Sequence, residues 1–238
     1  MDAVLETLLA GEAAVQCHVL SGLGGAGKTQ LAAGLAHRWW QQKRVDLLLW
    51  VTATSRTSIL TSYRQASADV TGIEDPDPQQ GADRLLAWLT SADRRWLIVL
   101  DDVADPADLR GLWPPILDTG RTVVTTRRRD AALLDGRRLI DVGLFTPDEA
   151  LAYLEGKLDG VAHRLDEADV LAADLGWLPL ALAQAAAYII DQDLSCADYR
   201  RRITRRRLDA LRPQVLPDDQ QKAVADTWAL SIDLEAEP

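Results

Sequence analysis

The sequence predicts an α/β protein: a five-stranded parallel sheet flanked by helices over residues 1–144, then a small all-helical subdomain over 145–238. Three observations predict it. An apolar run, a glycine loop and a helical run follow one another directly between Val15 and Ala36. Short apolar runs then alternate with amphipathic segments as far as about residue 143. After about residue 145 those runs stop and Ala- and Leu-rich helical segments take over. Continuous apolar runs suit parallel strands buried on both faces, and the segments between them are long enough for crossover helices.

In order, strands are expected at 15–20, 46–51, 96–100, 122–125 and 139–142, and helices at about 28–41, 57–70, 80–92 and 106–110. Glu74-Asp75-Pro76-Asp77-Pro78 reads as an acidic, proline-rich surface loop. Thr146-Pro147-Asp148-Glu149 is a helix start: a capping hydroxyl, proline in the first turn, then acids near the positive end of the helix. Helices are expected at about 147–158, 165–175, 180–191, 196–212 and 219–234, a set that reads as a small bundle.

Composition narrows the class. The chain has 238 residues, 47% of them hydrophobic, which suits a packed core and not global disorder. A net charge of −10 argues against general affinity for nucleic acid. Cys17 and Cys196 are too few for a disulfide framework, and His18, His37 and His163 are scattered, so no metal-ligand spacing occurs. Cys17 reads as a buried thiol. Seven of the eight tryptophans, Trp39, Trp40, Trp50, Trp88, Trp96, Trp177 and Trp228, read as packing residues, Trp177 being the one to watch. No signal peptide opens the chain and no apolar run reaches about 18 residues, so a soluble, cytoplasmic protein without a membrane partner is expected.

Four stretches carry chemistry. Gly22-Leu23-Gly24-Gly25-Ala26-Gly27-Lys28-Thr29 matches the pattern G-x-x-x-x-G-K-[ST] without a mismatch. Glycines let successive backbone N–H groups turn around phosphate oxygens, and the helix that opens at Lys28 points its positive end at the same anion. Lys28 then reaches the β and γ phosphates, and the Thr29 hydroxyl takes one position on Mg²⁺. Gln30 either helps close the loop around the α-phosphate or is a plain helix position. The second stretch, Leu97-Ile98-Val99-Leu100-Asp101-Asp102, is an apolar strand ending in two acids. Asp101 is the candidate Mg²⁺ ligand, and Asp102 the candidate to orient or deprotonate an attacking water.

In the third stretch, Thr122-Val123-Val124-Thr125-Thr126-Arg127, a strand ends in hydroxyls and an arginine. Arg127 is the candidate to sense the γ-phosphate or to stabilise transition-state charge, while Arg128 and Arg129 read as a solvated basic corner. The fourth is Leu175-Gly176-Trp177-Leu178-Pro179-Leu180-Ala181-Leu182. There Pro179 reads as the first residue of a helix, and periodicity alone does not place it near a nucleotide.

The ordered set resembles the NB-ARC branch of the STAND NTPases, which includes apoptotic protease-activating factors, plant disease-resistance proteins and bacterial members with tetratricopeptide repeats. The matching stretches lie at 22–32, 47–55, 96–105, 122–127, 142–151, 175–189 and 227–233. The resemblance implies strand order 5-1-4-3-2 and a glycine loop, acid pair and strand-end arginine that bind and sense ATP or ADP. It implies that Pro179, with Leu180 beside it, contacts adenine. Here one extra residue separates Gly176 from Pro179 compared with the common Gly-Leu-Pro form. A Gly-Arg pair expected before the first strand does not occur in Met1–Glu12, and the winged-helix domain of the family is expected after Pro238. The resemblance further implies a slow ATPase switch whose ATP state favours a homo-oligomer. GTP fits less well, because no [NT]-K-x-D motif occurs. Other readings are a module that holds ADP with little hydrolysis, a small-molecule kinase, and a nucleic-acid-associated ATPase suggested by Arg200–Arg202 and Arg205–Arg207.

Overall fold

The computed structural model describes residues 16–133 and 135–210. Contacts divide the chain into two units, one holding the chain to Leu23 and Gly27–Gly143, the other Gly24–Ala26 and the chain from Leu144.

The first unit is a five-stranded, all-parallel sheet: β1 (Cys17–Ser21), β2 (Leu47–Thr52), β3 (Trp96–Val103), β4 (Gly120–Thr126) and β5 (Arg138–Asp141). Their order is β2-β3-β4-β1-β5, which is the expected 5-1-4-3-2 read from the other edge. The central strands β3, β4 and β1 are almost wholly buried, as their apolar runs require. On one face Val19, Val51, Ile98, Leu100 and Val124 meet Ile59, Tyr63, Leu85 and Leu89 in a single core. Those four come from α2 (Arg56–Thr71) and α3 (Pro78–Ser91). The alternating positions Leu97 and Val99 are equally buried. The helix after the glycine loop, α1 (Lys28–Gln41), packs on β3 and β4 with Leu31 and Leu35 inward.

Local chemistry explains the helix ends. Ser55 and Ser58 form a reciprocal capping box at α2, and Gly72 closes that helix in the left-handed region at φ 72°. Asp77 accepts from the Gln79 N–H at the start of α3, with Pro78 in its first turn. Asp75 departs from the exposed loop expected around it. It is buried, because Arg84 Nε and Nη2 grip its carboxylate at 2.8 and 2.9 Å. Residues 106–110 are also shorter than expected. Asp105 caps a single 3₁₀ turn at Pro106–Leu109, and Trp113-Pro114-Pro115 comes soon after, where proline prevents a helix from continuing. Among the tryptophans, Trp96 is fully buried, but Trp40 and Trp50 are 51% and 37% exposed and are not core residues.

The second unit is helical: α4 (Pro147–Lys157), α5 (Ala168–Asp174), α6 (Pro179–Asp191) and α7 (Cys196–Ala210). The expected cap forms at α4 and is reciprocal: Thr146 Oγ1 accepts from Glu149 N–H and the Glu149 carboxylate accepts from Thr146 N–H. Leu154, Leu171, Leu182, Ala185 and Ile189 are buried. The expected helix at 219–234, with Trp228, lies outside the described residues. No described helix is long and apolar enough to cross a membrane.

Candidate phosphate and magnesium site

The glycine loop leaves β1 and enters α1 directly. Gly22 lies so close to the neighbouring backbone that an added Cβ would stand 2.2 Å from the Val142 carbonyl oxygen. Gly25 and Gly27 have φ of 79° and 91°, which only glycine adopts without strain. Gly27 is the N-cap of α1; no side chain caps that helix and no acid stands in its first turn. The positive end of α1 is therefore offered to a ligand rather than neutralised by the protein.

Lys28 is buried, and its ammonium donates to the carbonyls of Gly22 at 2.9 Å and Leu23 at 2.7 Å. Burial and the neighbouring Arg127 cation lower its pKa, against the opposing pull of Asp102 and Asp101. The charges of Arg127 and of the two carboxylates thus all reach Lys28.

At the end of β3, the pairing with β4 slips. Leu100 faces Val124 and Val103 faces Thr126, so Asp101 and Asp102 together oppose Thr125 alone. This is a β-bulge, and Asp102 takes the left-handed conformation at φ 58°. The bulge sends the two carboxylates in different directions. Asp101 Oδ1 accepts from Thr29 Oγ1 at 2.9 Å and from Thr125 Oγ1 at 2.6 Å. Asp102 is exposed, and its backbone N–H donates to Thr125 Oγ1 at 2.8 Å.

Beyond β4, Thr126 Oγ1 donates to the Val103 carbonyl at 2.7 Å and accepts from Arg128 N–H at 3.0 Å. Ser21 Oγ donates to the Arg128 carbonyl at 3.1 Å. Residue 128 is thereby tied to β1 and β4 directly, and to β3 through the Thr126 hydroxyl. Arg128 pairs with Asp130, and Arg129 with Asp141. Exposed Arg127 makes no such pair among the described residues.

The structure therefore brings Lys28, Thr29, Asp101, Asp102 and Arg127 into one cluster within the first unit. Gln30 is exposed in the first turn of α1, and Leu23 is exposed in the loop. The oxygen donors Thr29 and Asp101 fit Mg²⁺, which binds proteins through one or two oxygens and otherwise keeps water or phosphate oxygens. Gly24, Gly25 and Ala26 group with the second unit, where the Leu180 N–H donates to the Gly25 carbonyl at 3.1 Å. In that unit Pro179 is the buried first residue of α6, preceded by Gly176 and Trp177 in the left-handed region. Three arginines of α7 are engaged there: Arg200 pairs with Glu167 and Asp174, Arg201 with Asp198, and Arg202 donates to the Tyr188 hydroxyl.

Reading the sequence had missed the parts played by Thr125, Thr126 and Ser21. The signal for the bulge was present in the odd spacing between Leu100 and Val103, whose side chains nonetheless enter one core.

Comparison with known proteins bears on the family and the fold. The NB-ARC domain profile matches residues 1–160. The regulatory protein AfsR of Streptomyces coelicolor is 33% identical over 178 residues, covering 71% of this chain and 17% of AfsR. A putative late blight resistance protein homolog, R1B-16, of Solanum demissum is 28% identical over 204 residues, covering 78% of this chain and 15% of its own length. Among solved structures, a STAND protein with a tetratricopeptide repeat sensor, PH0952 from Pyrococcus horikoshii, superposes with a TM-score of 0.51. The two are 16% identical, and the match covers 76% of this chain and 28% of that one. The chain thus spans less than a fifth of the length of these curated relatives.

Proposed function

Because the chain belongs to the NB-ARC family, whose members are nucleotide-binding signalling switches, we propose that it binds ATP and ADP and hydrolyses ATP slowly with Mg²⁺. The nucleotide state then sets conformation and oligomer assembly in the whole protein. One observation carries the reading: Thr29 and Asp101 share a hydrogen bond at 2.9 Å beside a buried lysine and the uncapped end of α1.

Each residue then has a task. The loop N–H groups and Lys28 hold phosphate oxygens, with Gln30 at the rim. Thr29 and Asp101 hold Mg²⁺, which neutralises phosphate charge when bound. Asp102 orients water or takes its proton, and Arg127 responds to the γ-phosphate. Pro179 and Leu180 contact adenine, as the family resemblance implies. A change in what these groups hold alters the angle of the helical part, as nucleotide switches do in general. Engagement of Arg200, Arg201 and Arg202 with neighbouring groups counts against a nucleic-acid role.

Two measurements test the reading. The purified protein is denatured and the released nucleotide identified by ion-exchange chromatography; stoichiometric ADP, or an empty protein stabilised by Mg-ADP, supports it. A folded, empty protein indifferent to both nucleotides overturns it. Turnover that Asp102→Asn lowers about a hundredfold or more separates a hydrolase from a module that only holds ADP.

A further inference from the structure

We propose that Thr125 is a positioning residue for both acids of the site, aligning Asp101 for the metal and Asp102 for water through one hydroxyl. This rests on the proposed nucleotide function and deepens it. The bulge leaves Thr125 as the only residue of β4 opposite Asp101 and Asp102. Its hydroxyl is spoken for in both directions. A carboxylate only accepts, so the Thr125 proton goes to Asp101 Oδ1 at 2.6 Å; a backbone N–H only donates, so Asp102 delivers its proton to Thr125 Oγ1 at 2.8 Å. The first bond, together with the one from Thr29, falls on Oδ1, which sets the carboxylate's rotation and leaves Oδ2 untouched by either hydroxyl. The second fixes the peptide of a residue held at φ 58°, and so the direction in which the Asp102 side chain leaves the strand.

The hydroxyl itself is shielded by the sheet. Thr125 is 1% exposed, and its neighbours Val123 and Val124 are 1% and 0% exposed. Removing the hydroxyl strands the Asp102 N–H and frees Asp101 to rotate, while the fold of β4, built on backbone pairing and apolar packing, persists.

The test compares ADP affinity with Mg²⁺ and with EDTA, by calorimetry, in the wild type, Thr125→Val and Thr125→Ser. Wild type is expected to bind more tightly with Mg²⁺. Thr125→Val is expected to lose about tenfold of that metal-dependent gain while its affinity in EDTA stays near wild type. Thr125→Ser, which keeps the hydroxyl, is expected to restore the wild-type ratio. If Thr125→Val does not fold, Thr125→Ala takes its place with the same expectation. A hydroxyl-free variant that keeps the wild-type ratio overturns the role of Thr125 and leaves the nucleotide site standing. A wild type that binds no ADP overturns the proposed function, and this inference with it.

Discussion

The Lys28 ammonium donates to the carbonyl oxygen of Leu23 at 2.7 Å, so the glycine loop curls around its own lysine. With Gly22 taking a second bond, two of the three ammonium protons are used, and the third is left for an anion. Lys28→Met keeps the length and loses the charge. Mg-ADP affinity is expected to fall about a hundredfold or more, since charge-assisted bonds to phosphate are the strong ones. Calorimetry checks this, and an affinity within about threefold of wild type would count against the phosphate role of Lys28.

The close approach of Gly22 to Val142 makes a second prediction. A methyl group at residue 22 would meet the Val142 carbonyl at 2.2 Å, and that oxygen is backbone, held by its own strand neighbourhood. Gly22→Ala is expected to destabilise the protein by about 2–4 kcal/mol, the scale of forced overpacking. The same change at Gly34, which has open space around its Cβ position and lies within α1, is expected to be neutral or stabilising. Thermal melts of the two variants side by side give the contrast.

A pH dependence comes from His18 on β1. Burial, then the charges of Arg138 and Arg121, pulls its pKa down to about 4. The unfolded chain takes up a proton near 6.5, its ordinary value, while the folded one resists until about 4. Stability is therefore full above about pH 6.5 and is lost as the pH falls through that window, by about 3 kcal/mol in all. His18→Leu, neutral at every pH and suited to a buried strand, is expected to flatten the change between about pH 7 and pH 5. Denaturant titrations at the two pH values measure it.

The parts of this site that could be read from the sequence are those with a period or a spacing. The glycine loop had a strand before it and a helix after it, and Lys28 and Thr29 lie where that pattern puts them. Strands β1, β3 and β4 announced themselves as apolar runs because both faces are covered, while the edge strands β2 and β5 are more exposed. What could not be read depends on partners distant along the chain. Nothing near Thr125 says that two acids 23 and 24 residues before it share its hydroxyl. Asp75 looked like loop acid because Arg84, its partner, is nine residues away on a helix. Residues 106–110 carried a helix start, and only the prolines after Trp113 say how soon it must stop.

The bulge in β3 has a consequence for the strand as a whole. Trp96, Ile98 and Leu100 enter the core at every second residue, and Val103 enters it three residues later. A regular strand would turn Val103 to the opposite face. The pair of acids is therefore a phase shift in the chain: one carboxylate more than the alternation allows, absorbed where β3 passes β4. Shortening the strand by either aspartate would do more than remove a charge. With one acid fewer, Val103 would stand two residues after Leu100, and regular alternation alone would keep it in the core, so the bulge itself would be lost. The bulge thus lets the strand carry two acids in succession and still return Val103 to the core face.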